Sequence, residues 1–225
     1  EFRGSTGLGK SFVKASYKKW GTAMLQDKVA IANWAAEQGI ADSNRMAIWG
    51  WSYGGYAAMT ALALEPDVFT CGLSMYGISD LYAVSQTDYM ASGLWREAVG
   101  DYRIVEDSMM MRQFSALHNV SKIKAPLLLT TGSLDVRVPQ AQSDTMSAAL
   151  KAAEKDHVYF YYPEEGHDYR TPEAWMSYWA ISERFLKRHL GGRVSQNKLK
   201  LDSIPYMMVE GQEFADSSVV LNQIR

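Results

Sequence analysis

The chain has 225 residues, which suits one domain of ordinary size and leaves little room for two. Hydrophobic residues make up 47% of the sequence and charged residues 21%, a composition typical of a globular protein and not of a disordered or fibrous one. The 23 Lys and Arg residues and 25 Asp and Glu residues give a net charge of −2, so electrostatics gives no reason to expect nucleic acid or an anionic membrane as a partner.

Cysteine usage and the chain ends narrow the class of protein further. A single cysteine, Cys71, excludes a disulfide framework and a cysteine-based zinc site, and we expect no metal or other cofactor. No apolar run approaches 18 residues, so no membrane-spanning helix is predicted. Because no signal peptide is visible, we expect a cytoplasmic location. The chain opens with Glu1 instead of a starter Met, and we therefore expect it to begin inside a longer protein.

Apolar periodicity alternates between helix-like and strand-like stretches along the chain. The helical pattern predicts helices over residues 22–38, 57–64, 140–154 and 172–189. Short apolar runs bounded by turn residues predict buried strands over residues 45–49, 71–76, 126–131 and 157–162. The polar stretch 79–114 is predicted to be an irregular insertion. Strands separated by helices of this length favour right-handed crossovers, so the sequence predicts an α/β fold with a mostly parallel sheet flanked by helices.

The segment Gly50-Trp51-Ser52-Tyr53-Gly54 contains the pattern G-x-S-x-G between a predicted strand and a predicted helix. In this context the serine is expected on a strained turn, with its hydroxyl clear of the sheet. The two glycines let the strand and the helix approach each other without Cβ clashes. Free amides at the helix start, that of Tyr53 among them, would donate to an oxyanion. A purely structural turn is the alternative, but the context favours Ser52 as a nucleophile.

A serine nucleophile needs a base, and the base needs an acid that orients it. In α/β-hydrolases the three residues follow in the chain order Ser, Asp, His, each just after a strand. Asp135 lies on the loop after the strand predicted over 126–131, and His167 lies on the loop after the strand predicted over 157–162. We therefore expect Ser52, Asp135 and His167 to form a catalytic triad, with a plain turn aspartate as the alternative for Asp135.

The other histidines and acids are less suited to these roles. His189 falls in the last turn of a predicted helix, where a cation suits the helix dipole. His157 and His118 are expected to be surface or packing residues. Asp168 adjoins His167 in sequence, so the two side chains diverge. The acids of the predicted insertion are Asp80, Asp101 and Asp107.

Several short motifs resemble the catalytic domain of the prolyl oligopeptidase family of serine peptidases, which includes dipeptidyl-peptidase IV-like and acylaminoacyl-peptidase-like branches. The resemblance covers residues 1–192. The motifs that carry it are RGSTGLG at 3–9, WG at 20–21, GIAD at 39–42, GWSYGGY at 50–56, KAP at 124–126 and GHDY at 166–169. The spacing of the candidate Ser, Asp and His also fits that family.

The resemblance implies an α/β-hydrolase fold and a serine-type peptidase that cleaves short peptides, after proline or at their N-terminus. By analogy Ser52 is the nucleophile, His167 the general base and Asp135 its orienter. The Tyr53 amide would belong to the oxyanion hole. The expected partner is a short peptide substrate, with no nucleic acid and no membrane.

A tyrosine-rich substrate pocket is a further expectation. By the same analogy, Tyr53 would border the pocket for the residue that precedes the cleaved bond. Tyr76 and Tyr82 are candidates to line this pocket, for proline or for a larger apolar side chain. Members of the family carry further strands before the segment matched by residues 3–9, with a loop that supplies the second oxyanion donor, and an N-terminal β-propeller. We therefore expect the chain to be the C-terminal part of such an enzyme, lacking the first strands of the sheet.

Residues 193–225 fall outside this pattern and are expected to form a separate C-terminal extension. Residues 203–218 resemble the later half of the thioredoxin-like N-terminal domain of glutathione transferases. About thirty residues are too few to fold as that domain alone. We expect a strand–turn–strand–helix that does not bind glutathione.

Two other functions remain as alternatives. The segment GSTGLGKS at residues 4–11 matches the P-loop pattern of nucleotide-binding modules. That reading requires a hydrophobic strand before Gly4 and an apolar run that ends in Asp, and the sequence contains neither. The other alternative is an esterase-like or non-catalytic α/β-hydrolase. The complete set of Ser52, Asp135 and His167 argues against the non-catalytic form.

Overall fold

The computed structural model describes residues 1–196, 200–201, 205–215 and 220–221. Four strands lie side by side in one sheet, and all four are parallel. In sheet order they are β1 (Ala47–Trp51), β2 (Cys71–Met75), β3 (Leu127–Gly132) and β4 (His157–Tyr162). Helices connect successive strands, so the predicted α/β fold with a mostly parallel sheet is confirmed.

Each of the four predicted helices is present, in the predicted order, and the described residues contain further short α-helices. In chain order they are α1 (Lys10–Lys14), α2 (Ala23–Glu37), α3 (Tyr53–Leu64), α4 (Leu81–Val84), α5 (Gly93–Ala98), α6 (Val105–Gln113), α7 (Ala141–Ala152) and α8 (Pro172–Leu190). Only α3 differs markedly at its start, because the prediction began at residue 57. The apolar run begins at residue 57, whereas the helix begins directly after Ser52, as the G-x-S-x-G context predicts.

Both faces of the sheet are covered by apolar side chains. On one face, Leu127 and Leu129 of β3 pack with residues of α3 and α7, such as Leu62 and Met146. On the other face, Leu128 packs with Phe160 of β4 and with the buried side chains of α8. Alternate residues of a strand point to opposite faces, so one continuous apolar run on β3 serves both layers.

The prediction of an irregular insertion over 79–114 is wrong, because this stretch contains α4, α5 and α6. Short helices of this kind depend on local caps, which hydrophobic periodicity does not reveal. The Asp80 carboxylate accepts hydrogen bonds from the amides of Tyr82 and Ala83 at the start of α4. The Ser92 hydroxyl caps α5 in the same way. The buried Met111 of α6 then packs into an apolar cluster with Tyr56, Ile78 and Leu81.

Part of the C-terminal extension adds a strand to the sheet. Strand β6 (Met207–Glu210) pairs with β4 in antiparallel orientation, and β5 (Lys200–Leu201) pairs with β7 (Val220–Leu221) in a separate small sheet. Tyr206 and Phe214 flank β6 and are buried against the α8 face of the large sheet. Residues 203–204 and 216–218 of the glutathione-transferase-like segment lie outside the described residues. Its resemblance and the boundary at residue 192 stay predictions.

Strand β2, which lies between β1 and β3, carries the cysteine. Cys71 is completely buried, and burial raises the pKa of its thiol to about 12. A thiol so far from ionisation is a poor nucleophile and a poor metal ligand.

Within the described residues, none of the helices is both long and apolar enough to cross a membrane.

Candidate active site

Ser52 occupies the tight turn between β1 and α3. Its backbone has φ 53° and ψ −120°, and a non-glycine residue in such a region carries roughly 1–3 kcal/mol of strain. The turn is held from the neighbouring strand, where the Met75 carbonyl accepts a hydrogen bond from the Ser52 amide at 3.0 Å. Gly50 is required here, because a Cβ at this position would lie 2.5 Å from the backbone carbon of Gly54. The predicted strand–turn–helix geometry is therefore present.

His167 contacts both of its predicted partners. Its Nε2 lies 2.9 Å from the Oγ of Ser52, and its Nδ1 lies 2.7 Å from Oδ2 of Asp135. The three residues come from loops after β1, β3 and β4, because the carboxyl ends of parallel strands share one edge of the sheet. In this arrangement Nε2 can accept the proton of the Ser52 hydroxyl while Asp135 holds Nδ1.

The carboxylate of Asp135 is fully buried, and each of its oxygens has a partner. Oδ1 accepts hydrogen bonds from the amides of Arg137 at 2.8 Å and Val138 at 2.9 Å. Oδ2 is thereby turned toward His167. A buried carboxylate with this set of donors is held in one rotamer, so it fixes both the ring orientation and the tautomer of the histidine.

Tyr53 is the first residue of α3, and the amides of a first helical turn have no acceptor within their helix. Its ring packs against an aromatic group, with centroid distances of 4.7 Å to Trp20 and 5.9 Å to Phe2. The Lys28 ammonium donates a hydrogen bond of 3.0 Å to the Tyr53 hydroxyl and lies 3.4 Å from the centre of the Phe2 ring. Burial lowers the pKa of Lys28 to about 8 and raises that of Tyr53.

An open cavity of about 380 Å³ lies beside the serine. It is lined by Trp49, Trp51, Tyr53 and the glycines around Ser52. Both tryptophans are exposed. The cavity therefore offers an apolar, aromatic surface next to the hydroxyl, which suits an apolar group of a ligand.

The two other tyrosines predicted to bind substrate occupy different surroundings. Tyr76 is buried, with a φ of 35°, and its ring centre lies 4.8 Å from that of His167. Tyr82 lies on α4 and contacts the Arg112 guanidinium at 3.7 Å from its ring centre, with Tyr102 at 6.4 Å. The structure thus brings Tyr76 to the histidine and gives Tyr82 its contacts within the segment 79–114.

Gly132 and Glu165, for which sequence reasoning predicted no role, join the Asp135 loop to the His167 loop. A Cβ at Gly132 would lie 2.3 Å from the Glu165 carbonyl oxygen, so only glycine allows this approach. The Leu134 amide donates to that same carbonyl at 2.9 Å, and the Ser133 amide donates to Tyr162 O at 2.9 Å. The only signal in the sequence was a glycine at the end of a strand, which is too common to be diagnostic.

The competing residues have ordinary structural roles. His118 lies 3.2 Å from Asp80, and the buried His157 lies 2.8 Å from the Ser147 hydroxyl. The P-loop pattern lacks the long helix that should follow it, because α1 has only five residues. In the described ranges there is also no group of three or more His, Cys, Asp or Glu side chains that suits a metal ion.

Comparison with known proteins identifies the chain's relatives. Residues 1–193 match the model of the prolyl oligopeptidase family. The chain is 39% identical over 196 residues to dipeptidyl aminopeptidase BIII of Pseudoxanthomonas mexicana, which covers 85% of this chain and 28% of that protein. The structure superimposes on a puromycin-hydrolyzing peptidase of Mycobacterium tuberculosis with a TM-score of 0.81 at 28% identity, over 86% of this chain and 29% of that one.

A second solved structure, the acylaminoacyl peptidase of Pyrococcus horikoshii, matches with a TM-score of 0.77 at 27% identity, over 87% of this chain and 32% of that one. The chain therefore spans roughly a third or less of the length of these relatives. The predicted α/β-hydrolase fold is confirmed by these superpositions. Since the family model matches most of the chain, including Ser52, Asp135 and His167, the chain belongs to the prolyl oligopeptidase family.

Proposed function

We propose that the chain is the catalytic part of a serine-type peptidase, with Ser52 as nucleophile, His167 as general base and Asp135 as its orienter. The observation that carries this proposal is the position of one imidazole, 2.9 Å from the serine hydroxyl and 2.7 Å from a buried carboxylate. Membership of the prolyl oligopeptidase family supports it independently.

The chemistry proceeds through an acyl-enzyme. Ser52 Oγ bonds to the carbonyl carbon of the peptide while His167 Nε2 accepts the hydroxyl proton. The C–N bond then breaks, and the imidazolium gives its proton to the leaving amine. Water repeats the sequence: it attacks the ester carbonyl, His167 accepts its proton, and Ser52 leaves with a proton returned by the imidazole.

The Tyr53 amide donates to the oxyanion that forms at each attack. Its position at the start of α3 adds the favourable end of a helix dipole. The aromatic cavity beside Ser52 receives the side chain that precedes the cleaved bond, with Tyr53 as one wall. We propose that Tyr76, whose ring lies beside the imidazole of His167, and Tyr82 of α4 also contact the bound substrate.

The names of the relatives bear on the substrate class. The names of three relatives describe a dipeptidyl aminopeptidase, a puromycin-hydrolyzing peptidase and an acylaminoacyl peptidase. We propose the same class here, with cleavage after proline or near the N-terminus of a short peptide. We also propose that the enzyme works in the cytoplasm and has no nucleic acid as a partner. Residues 1–192 form its catalytic domain, and residues 193–225 form a C-terminal extension.

An esterase-like hydrolase is the second candidate. The same acyl-enzyme forms from an ester, and the open cavity beside Ser52 does not by itself select a peptide. Matched amide and ester substrates with one acyl group decide between the two. A peptidase cleaves both, whereas an esterase leaves the amide uncleaved.

A fluorophosphonate probe tests the nucleophile directly. We expect stoichiometric labelling that is lost in Ser52→Ala, because the probe bonds only to an activated serine hydroxyl. Ser43→Ala, a change at an exposed serine, is the matched control and keeps the labelling. Labelling that persists in Ser52→Ala would contradict the proposal.

A further inference from the structure

Glu165 is a buried acid that the chemistry above does not use. It lies two residues before His167 and is 4% exposed. Among the described residues no lysine, arginine or histidine forms an ion pair with it. Burial of a carboxylate costs free energy unless hydrogen bonds replace those it made to water. The hydrogen bonds of this side chain therefore decide whether it is stable in the core.

The hydrogen-bond partners of the Glu165 carboxylate follow His167 in the chain. Oε2 accepts a hydrogen bond of 2.7 Å from the Arg170 amide, and Oε1 accepts one of 3.1 Å from the Thr171 amide. The Thr171 hydroxyl donates to Oε1 as well. These bonds close residues 165–171 into a ring that contains His167, and they use both carboxylate oxygens.

The same residue also reaches the aspartate loop and α8. Its carbonyl accepts the Leu134 amide at 2.9 Å, next to Asp135. Thr171 is the N-cap of α8, where its hydroxyl accepts from the Ala174 amide, and a carboxylate near a helix N-terminus is stabilised by the dipole. Glu165 thus connects the His167 loop to two rigid parts of the fold.

We propose that Glu165 is a positioning residue that holds His167 at hydrogen-bond distance from both Ser52 and Asp135. This rests on the proposed function of that histidine. The imidazole itself is partly exposed, with 17% of its side chain accessible, so packing restrains it less than it restrains the buried Asp135. The ring closed by Glu165 supplies the missing restraint, because it limits the backbone on both sides of the histidine.

Glu165→Gln is the central test. The variant keeps the shape of the side chain but replaces one acceptor oxygen by an NH₂ group, which faces an amide donor and leaves it unpaired. We expect kcat to fall about 10–100-fold with KM within about threefold of wild type, since misplacement of a catalytic group acts on the transition state. The low-field proton NMR signal of the His167 Nδ1–H···Asp135 hydrogen bond should weaken or broaden. A purely structural role would lower thermal stability and leave that signal unchanged in the folded fraction.

Glu164→Gln is the matched control, because it makes the same change of charge at the exposed neighbouring position. It should keep the kcat and the proton signal of wild type. If Glu165→Gln does not fold, Thr171→Val replaces it. This variant removes one of the three donors to Glu165 together with the hydroxyl cap of α8, and we expect a smaller loss of kcat in the same direction. An unchanged kcat and signal in the folded variant would overturn the inference.

Ser52→Ala is measured alongside to separate the two claims. Loss of activity in Ser52→Ala together with wild-type kcat in Glu165→Gln overturns only the role of Glu165. Full activity in Ser52→Ala overturns the proposed function and this inference with it.

Discussion

One hydrogen bond joins Ser52 to His167, and one joins His167 to Asp135. A single substitution can therefore remove either contact. Oδ2 of Asp135 faces Nδ1 of His167, and Oδ1 is occupied by two amides of its own loop. Oδ2 is the atom of the Asp135 loop that contacts Nδ1. The tautomer of the imidazole therefore depends on one carboxylate oxygen.

Asp135→Asn tests that dependence. The amide keeps the shape of the side chain, but its NH₂ group cannot accept from Nδ1–H, so the tautomer with the proton on Nε2 becomes favoured. We expect kcat to fall on the order of 10³–10⁴-fold. Asp168→Asn, a change at the exposed neighbour of His167, should lose less than about threefold in the same assay. A loss below tenfold in Asp135→Asn would assign the orienting role to another residue.

Lys28 gives a second prediction at this scale, one that concerns stability. Burial lowers its pKa from 10.5 to about 8, so between these values the unfolded chain binds a proton that the folded chain has released. Stability from this group therefore rises with pH across that window. We expect the unfolding free energy of wild type, measured by urea denaturation, to increase relative to that of Lys28→Met from pH 8 to 10.5. A difference between wild type and Lys28→Met that does not grow over this pH range would contradict the prediction.

At the scale of the elements, the loops after β3 and β4 behave as one unit. Backbone hydrogen bonds from Ser133 and Leu134 reach across to Tyr162 and Glu165, and Gly132 makes the close approach possible. Asp135 and His167 are thus fixed relative to each other by backbone contacts as well as by their own hydrogen bond.

Gly132→Ala should separate the two loops. Its Cβ would lie 2.3 Å from the Glu165 carbonyl oxygen, so the backbones must move apart. We expect about 1–3 kcal/mol of destabilisation and a fall in kcat of about 10–100-fold, measured by denaturant unfolding and by steady-state kinetics. At Gly166 the nearest atom to a new Cβ is 3.6 Å away, so Gly166→Ala is the control and should remain close to wild type. Equal effects of the two substitutions would contradict this account.

The sequence was sufficient for elements whose pattern is long or strongly apolar. The strands over 126–131 and 157–162 were predicted nearly to the residue, and they brought Asp135 and His167 to the correct edge of the sheet. The helices of segment 79–114 were missed because they are short, and two of them depend on the side-chain caps Asp80 and Ser92. The bonds of Glu165 were missed for a related reason, since they join residues whose proximity only the folded loop creates.

For the molecule as a whole, the C-terminal extension covers an edge that would otherwise be open. Strand β6 pairs with β4, while Tyr206 and Phe214 are buried against the face that α8 covers. The Arg188 guanidinium pairs with Glu213 and lies over the Phe214 ring. The extension and the sheet therefore share one apolar core on this side.

Truncation after residue 196 should weaken the whole fold. Two buried aromatic side chains contribute about 1.5–3 kcal/mol each, and an uncovered β4 edge favours association between copies. We expect a lower thermal midpoint and a larger apparent size in gel filtration. Phe214→Ala in the full chain should reproduce part of the loss in stability without the association. A truncated chain with the thermal midpoint and the apparent size of the full chain would contradict this view.

The single cysteine has a practical consequence for spectroscopy. Cys71 is the only thiol in 225 residues, and its complete burial and raised pKa keep it from reacting with maleimides or disulfide reagents in the folded protein. A cysteine introduced at an exposed position, such as Leu134 beside the Asp135 loop, would take up a spin label or a dye alone. Cys71 therefore adds no label of its own. With two introduced cysteines, distances between loops can be measured in solution without first removing the natural cysteine.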